Sequence, residues 1–225
     1  MQKSVRDTAD PGKGTLRARG RPREFDRDAA LSQAMRLFWS KGYEATSMSD
    51  LTSAMGIGST SLYAAFGSKE ALYVDALEHY QHTYRHLVWG RFDVATTARE
   101  AIEVFLLDSA AALTGSVVDI PLGCMVTLSA VGNEGYARLG EMVRSARAVT
   151  VDRLAARVRS AVATGELPET VDVQALARFA QSVQYGMSVL ARDCVSRVEL
   201  EAVAATAMLG WDAKVAAATA DHGKA

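Results

Sequence analysis

Cysteine is nearly absent from this chain of 225 residues: Cys124 and Cys194 are the whole supply. Two thiols far apart cannot build a disulfide framework, which suits a reducing compartment. Proline is as scarce, at four residues, so long helices can run without interruption. No apolar run approaches the roughly 20 residues that span a bilayer, and the polar N-terminal stretch lacks the apolar segment of a secretory signal. These absences predict a cytoplasmic protein without a membrane partner. Also missing are a glycine-rich phosphate loop, a nucleophile elbow, a paired-carboxylate spacing and a Cys-x-x-Cys motif. Catalysis has no foothold, and no cofactor is expected.

What remains is 49% hydrophobic and 23% charged, dominated by alanine and leucine, a composition that predicts an all-α protein. Net charge is −1, but its distribution is uneven. Lys13, Arg17, Arg19, Arg21 and Arg23 share one window with no acid between Lys13 and Arg23. The chain has a basic end and an acidic remainder.

Residues 1–24 lack apolar periodicity and read as a disordered basic arm. Inside it, Arg19-Gly20-Arg21-Pro22-Arg23 resembles the core of an AT-hook, an extended element that enters narrow A·T minor grooves. A solvated basic tail is the plainer reading. Either makes Arg19, Arg21 and Arg23 DNA contacts, because each neutralised phosphate releases counterions.

The stretch from Ser47 to Lys69 carries the strongest local signal. Ser47 and Asp50 form a capping-box pattern, so a helix should start at about Met48, and Gly56 stops it. After the turn Gly56-Ile57-Gly58, a second helix runs from Ser59 to Phe66 with Leu62 and Phe66 on one face. Gly67 ends it and Ser68 caps the next helix from Lys69. A preceding helix, capped by Asp26, reaches about Lys41 on the period of Ala30, Leu31, Ala34, Leu37 and Phe38. Two short helices about a tight turn make a helix-turn-helix, whose second helix fits the DNA major groove.

With Phe38, Gly42-Tyr43-Glu44-Ala45-Thr46-Ser47, Asp50-Leu51, Gly56-Ile57, Leu62-Tyr63, Phe66 and Ser68-Lys69-Glu70-Ala71-Leu72, the chain resembles the TetR family of bacterial transcriptional repressors across roughly residues 25–80. The resemblance implies a DNA-binding domain at 25–68 and a larger ligand-binding and dimerisation domain at 69–212; the alanine-rich, polar stretch at 213–225 reads as a frayed tail. It implies phosphate contacts from Thr46, Ser47, Tyr63 and Lys69. The reading helix has no lysine or arginine, so base contacts fall to Ser59, Thr60, Ser61 and Ala64. The family usually has serine at Gly58, often a basic residue at Ser59, and glycine at Thr60. These departures bear on the target sequence, not on the fold.

Downstream, a long helix is expected from Lys69 to about Trp89, with Tyr73, Leu77, Tyr80, Tyr84 and Leu87 on one stripe. His79, His82 and His86 lie nearly opposite; they could share a metal ion, but a solvated face is the simpler account. Helices follow over 95–114, over a short apolar segment from Pro121 to Gly132, and over 134–164. Two more, over 172–193 and from Ser196 to about Asp212, carry wide apolar faces. By resemblance they form a homodimer through a four-helix interface. Trp89, Phe105, Cys124, Met125, Tyr136, Phe179 and Tyr185 are the candidate ligand contacts, chosen as large or soft groups. Cys124 reads as a packing or pocket-lining thiol, with redox chemistry the alternative. The expected protein is a regulator of operator DNA, a repressor released by a small apolar or aromatic effector. A sequence-tolerant structural DNA binder and a small helical enzyme are the rival readings.

Overall fold

The computed structural model describes residues 25–131 and 135–222, in which nine helices and no strand are present. Four belong to the N-terminal part: α1 (Arg27–Lys41), α2 (Met48–Met55), α3 (Ser59–Phe66) and α4 (Lys69–Val94). Then come α5 (Ala98–Leu113), α6 (Met125–Leu128), α7 (Ala137–Ala163), α8 (Val173–Arg192) and α9 (Arg197–His222). Arg19, Arg21 and Arg23 lie outside the described residues, as does the start expected for α7 at Glu134.

Three element ends differ from expectation. Helix α4 passes Trp89 and continues to Val94, because Phe92 is buried and its ring packs edge-on against Trp89 at 5.0 Å. Core contact outweighs the cost of Gly90 in the helix. Helix α9 runs through the tail expected to fray beyond Asp212. Alanine favours helix there, Ala218 is buried, and the Thr170 hydroxyl donates to the Ala218 carbonyl at 2.8 Å. By contrast, the apolar segment after Pro121 forms only the single turn α6.

Buried side chains form two cores. One joins Leu51, Leu62 and Phe66 of the reading helices to Phe38, Leu72, Tyr73 and Leu77, and extends to Val126 and Leu139. The other gathers α5, α7, α8 and α9 around Phe105, Leu154, Met187 and Trp211. The reader's core therefore does not stop at residue 68, since the first turns of α4 and part of α7 complete it. Polar ties reinforce the junction. Arg36 donates to the Asp119 carbonyl at 2.6 Å, and Arg192 at the end of α8 donates to the carbonyls of Trp39 (2.8 Å) and Ser40 (3.0 Å). The last carbonyls of α1, which have no partner within the helix, are met by a cation.

Candidate nucleic-acid interface and ligand cavity

The reader is held by its caps and its core. Ser47 accepts from the Asp50 amide while Asp50 accepts from the Ser47 amide, both at 3.0 Å, and Lys41 adds an ion pair to the same carboxylate. Those hydrogen bonds, the Ser47 amide first, hold the Asp50 carboxyl at about 2. Gly56 turns the chain at φ 66°, a conformation that glycine adopts without a steric cost. Leu51 and Leu62 are fully buried between the two helices. This leaves Ser59, Thr60, Ser61 and Ala64 exposed on the outer face of α3, together with Tyr63, which is 50% exposed.

Helix α3 has no side-chain cap at Gly58, and α4 begins at Ser68, whose hydroxyl accepts from the Ala71 amide at 3.0 Å. Lys69, in the first turn of α4, sets its ammonium 4.3 Å above the Tyr43 ring. Burial there lowers the Lys69 pKa, and burial chiefly raises the Tyr43 phenol to about 12. On the other side, Arg27 lies over the Phe66 ring and pairs with Asp75 at 2.6 Å.

Thr46 is not part of this surface, which corrects the expectation of a phosphate contact. It is 0% exposed, and its hydroxyl donates to the Gly42 carbonyl at 2.6 Å, tying the α1–α2 turn together. The spacing from Ser47 gave no hint of this, because neighbouring residues at a helix start can point opposite ways. His79 also departs from the solvated stripe expected for it. It is half-buried, with Nε2 at 2.9 Å from the Ser32 hydroxyl of α1. Among the described residues no group of three His, Cys, Asp or Glu is placed to hold a metal ion.

Beneath the reader lies a cavity of about 1250 Å³ between α4 and α7, walled also by α5, α8 and the 120–127 segment. Of the candidate ligand contacts, Trp89, Phe105, Cys124 and Tyr185 are among the residues that line it. Three expected contacts do not. Met125 is buried in the reader's core, and the Tyr136 ring packs edge-on against Tyr43 at 4.9 Å. Phe179 is 39% exposed on the far side of α8, where it lies over Gly210 of α9. In their place stand Trp39, Tyr80, Tyr84 and Gln184.

The Trp39 ring meets Tyr80 at 4.8 Å and Tyr84 at 5.6 Å, so a residue of the DNA-reading half is part of the cavity wall. The Tyr80 hydroxyl donates to Cys124 Sγ at 3.2 Å, and burial holds that phenol well above its ordinary pKa. Arg153 sits over the Trp89 ring at 4.4 Å and pairs with Asp93. The aromatic stripe Tyr80–Tyr84 was visible in the sequence. Trp39 was not, because its apolar neighbours in α1 all face the reader's core.

Residues 30–76 match the profile described as "Bacterial regulatory proteins, tetR family". The chain is 34% identical to the HTH-type transcriptional repressor ComR of Escherichia coli over 199 residues, 87% of this chain and 93% of that protein. Over 67 residues, 30% of this chain and 34% of the relative, it is 46% identical to the E. coli HTH-type transcriptional repressor BdcR. The fold is similar to that of the TetR family transcriptional regulator CifR, solved as a cysteine mutant complexed with 26-base-pair double-strand operator DNA. The TM-score is 0.79 at 39% identity, covering 84% of this chain and 98% of that one. The relatives are transcriptional regulators rather than enzymes. A capped helix-turn-helix on a helical body, matched along nearly its whole length by such a repressor, identifies this chain as a member of the TetR family of bacterial transcriptional regulators.

Proposed function

We propose that this chain is a cytoplasmic, homodimeric repressor that binds a palindromic operator and is released from it by a small apolar or aromatic effector held in the cavity. The observation that carries this reading is the shared wall: Trp39 of α1 and the middle of α4 border the cavity, while both helices build the reader's core. A ligand there touches the elements that set the angle of the reading helix. Operator binding by CifR supports the DNA half of the reading.

Division of labour follows from residue chemistry. The arm at 1–24 contributes Arg19, Arg21 and Arg23, and the reader at 25–68 contributes Ser47, Ser59, Thr60, Ser61, Tyr63 and Ala64. The body at 69–212 binds ligand and partner, and Lys69 at its start contacts phosphate. Without a cation in α3, the arm and Lys69 supply the electrostatic grip. For the dimer, α8 and α9 each bury one face within the subunit and leave Phe179, Val189, Leu190, Val203 and Leu209 exposed. An uncovered apolar face on paired helices suits a twofold four-helix contact, and twofold symmetry suits two half-sites.

An effector that prefers the form with wrongly spaced reading helices shifts the population off DNA. A hundredfold loss of operator affinity needs a differential of roughly 2.7 kcal/mol, within reach of a few pocket contacts. Operator selection from random DNA, followed by titration of the selected site with aromatic compounds, tests the proposal. A palindromic site bound by a dimer and weakened by a cavity ligand is the expected result. Binding that is sequence-blind and wholly salt-driven would favour a structural DNA-binding protein instead.

A further inference from the structure

The cavity wall is divided by chemistry. Its charged members Glu78, Arg85, Arg138, Glu141 and Asp152 are exposed along α4 and α7, at the mouth. Arg153 is engaged already, by Asp93 and by the ring faces of Trp89 and Phe92. Deeper in, the buried side chains are apolar, such as Phe105, Leu113 and Val126, or have their polar atom satisfied, as Trp39 does through the Gly123 carbonyl.

Gln184 breaks that pattern. It is 7% exposed and lines the cavity, and among the described residues its amide has no hydrogen-bond partner. Gln181, nearly one turn earlier on α8, shows what an engaged glutamine looks like here. Its nitrogen donates to the Arg147 carbonyl (3.0 Å) and to the Tyr185 hydroxyl (3.1 Å), and its oxygen accepts from Arg178 (2.9 Å). The two glutamines are similarly buried, but Gln181 ties α8 to α7 and Gln184 faces the cavity. The Gln184 amide is not sealed among side chains but opens onto the cavity, where a ligand can supply the partner that the protein does not. Beside it, the Tyr185 hydroxyl accepts from Gln181 and keeps its own proton for another acceptor.

We propose that Gln184 is the specificity-determining residue of the cavity. With Tyr185, it reads one neutral hydrogen-bonding group, a hydroxyl, carbonyl or amide, on an otherwise apolar ring system. Donor and acceptor stand together on the Gln184 amide, so either polarity of a neutral group is met. An ionised group is not, because no uncommitted counter-charge stands in the buried part of the wall and charge transfer into an apolar site is costly. The inference rests on the proposed effector cavity and names the class of molecule that enters it.

Three probes of one ring size test it on the full chain: naphthalene, 2-naphthol and 2-naphthoate, titrated near pH 7 and followed by quenching of the cavity tryptophans and by calorimetry. The neutral naphthol should bind at least about tenfold more tightly than either of the others. In Gln184→Met the naphthol and naphthalene affinities should converge while naphthalene binds as before. Tightest binding of 2-naphthoate overturns the proposal on wild-type protein alone, whatever the variant's folding. An undiminished naphthol preference in Gln184→Met, or in Gln184→Leu if the first variant does not fold, overturns it as well. Binding of all three without preference sinks the role of Gln184 and leaves the cavity as a ligand site. Binding of none sinks both.

Discussion

The indole N–H of Trp39 donates to the carbonyl of Gly123 at 3.1 Å, and this one bond ties the DNA-reading half of the chain to the wall of the cavity. Around it the junction is stitched from several sides. The Trp39 carbonyl accepts from Arg192, and the amide of Cys124, next to Gly123, donates to the Ser188 hydroxyl at 2.9 Å. Helix α1 is thus held by α8 and by the 120–124 segment together. A ligand that presses on the Trp39 ring acts on α1 directly, in addition to any effect through α4.

Trp39→Phe keeps a ring in place and removes the donor, leaving the buried Gly123 carbonyl short of a partner. The variant should lose about 1–2 kcal/mol of stability and bind operator several-fold more weakly, because α1 is less firmly seated. Denaturant midpoints and operator titrations check both. Wild-type operator affinity in this variant would remove Trp39 from the coupling.

Gly123 is a second weak point. Its φ of 76° lies in the left-handed region, and a Cβ there would stand 2.8 Å from the Ser188 carbonyl oxygen. Neither strain can relax without moving α8, so Gly123→Ala should destabilise the fold by about 2 kcal/mol or more and reshape the cavity. Thermal unfolding of the purified variant is the measurement, with an unchanged midpoint as the contrary result.

Lys69→Ala should weaken binding to specific and unspecific DNA alike and lower the slope of log affinity against log salt by about one unit. The same substitution removes the cation from the Tyr43 face, so stability needs to be measured beside affinity. An unaltered salt slope would mean that Lys69 does not touch phosphate.

Asp50 predicts an acid-sensitive reader. Its carboxyl lies at about 2 in the folded protein against an ordinary 3.8, so the folded state favours the ionised form. The stabilisation is complete above the ordinary value and is lost as pH falls from about 4 towards 2. Asp50→Asn should lower stability at neutral pH and flatten that part of the acid limb, as read by helix content against pH. Glu100, Glu199 and Asp212, also held below their ordinary values, should leave a residual limb in the variant.

Local chemistry decided where the two short helices α2 and α3 lie. Ser47 and Asp50 cap α2 through neighbours three residues apart, Gly56 needs only its own backbone freedom, and Leu51, Leu62 and Phe66 follow the helical period. Signals of that range survive in a one-dimensional sequence, and they located α2 and α3 closely. Tertiary packing decided the rest. Thr46 and Ser47 are adjacent and both hydroxylated, yet one is fully buried and the other exposed. Met125, Tyr136 and Phe179 are as large or as soft as Trp39, but the cavity took Trp39 and left them to a core, a ring stack and an outer face. Periodicity says that a residue belongs to an apolar stripe. Whether that stripe meets another helix, a cavity or solvent depends on where α4 and α7 part, and that gap is set by helices far away in the chain.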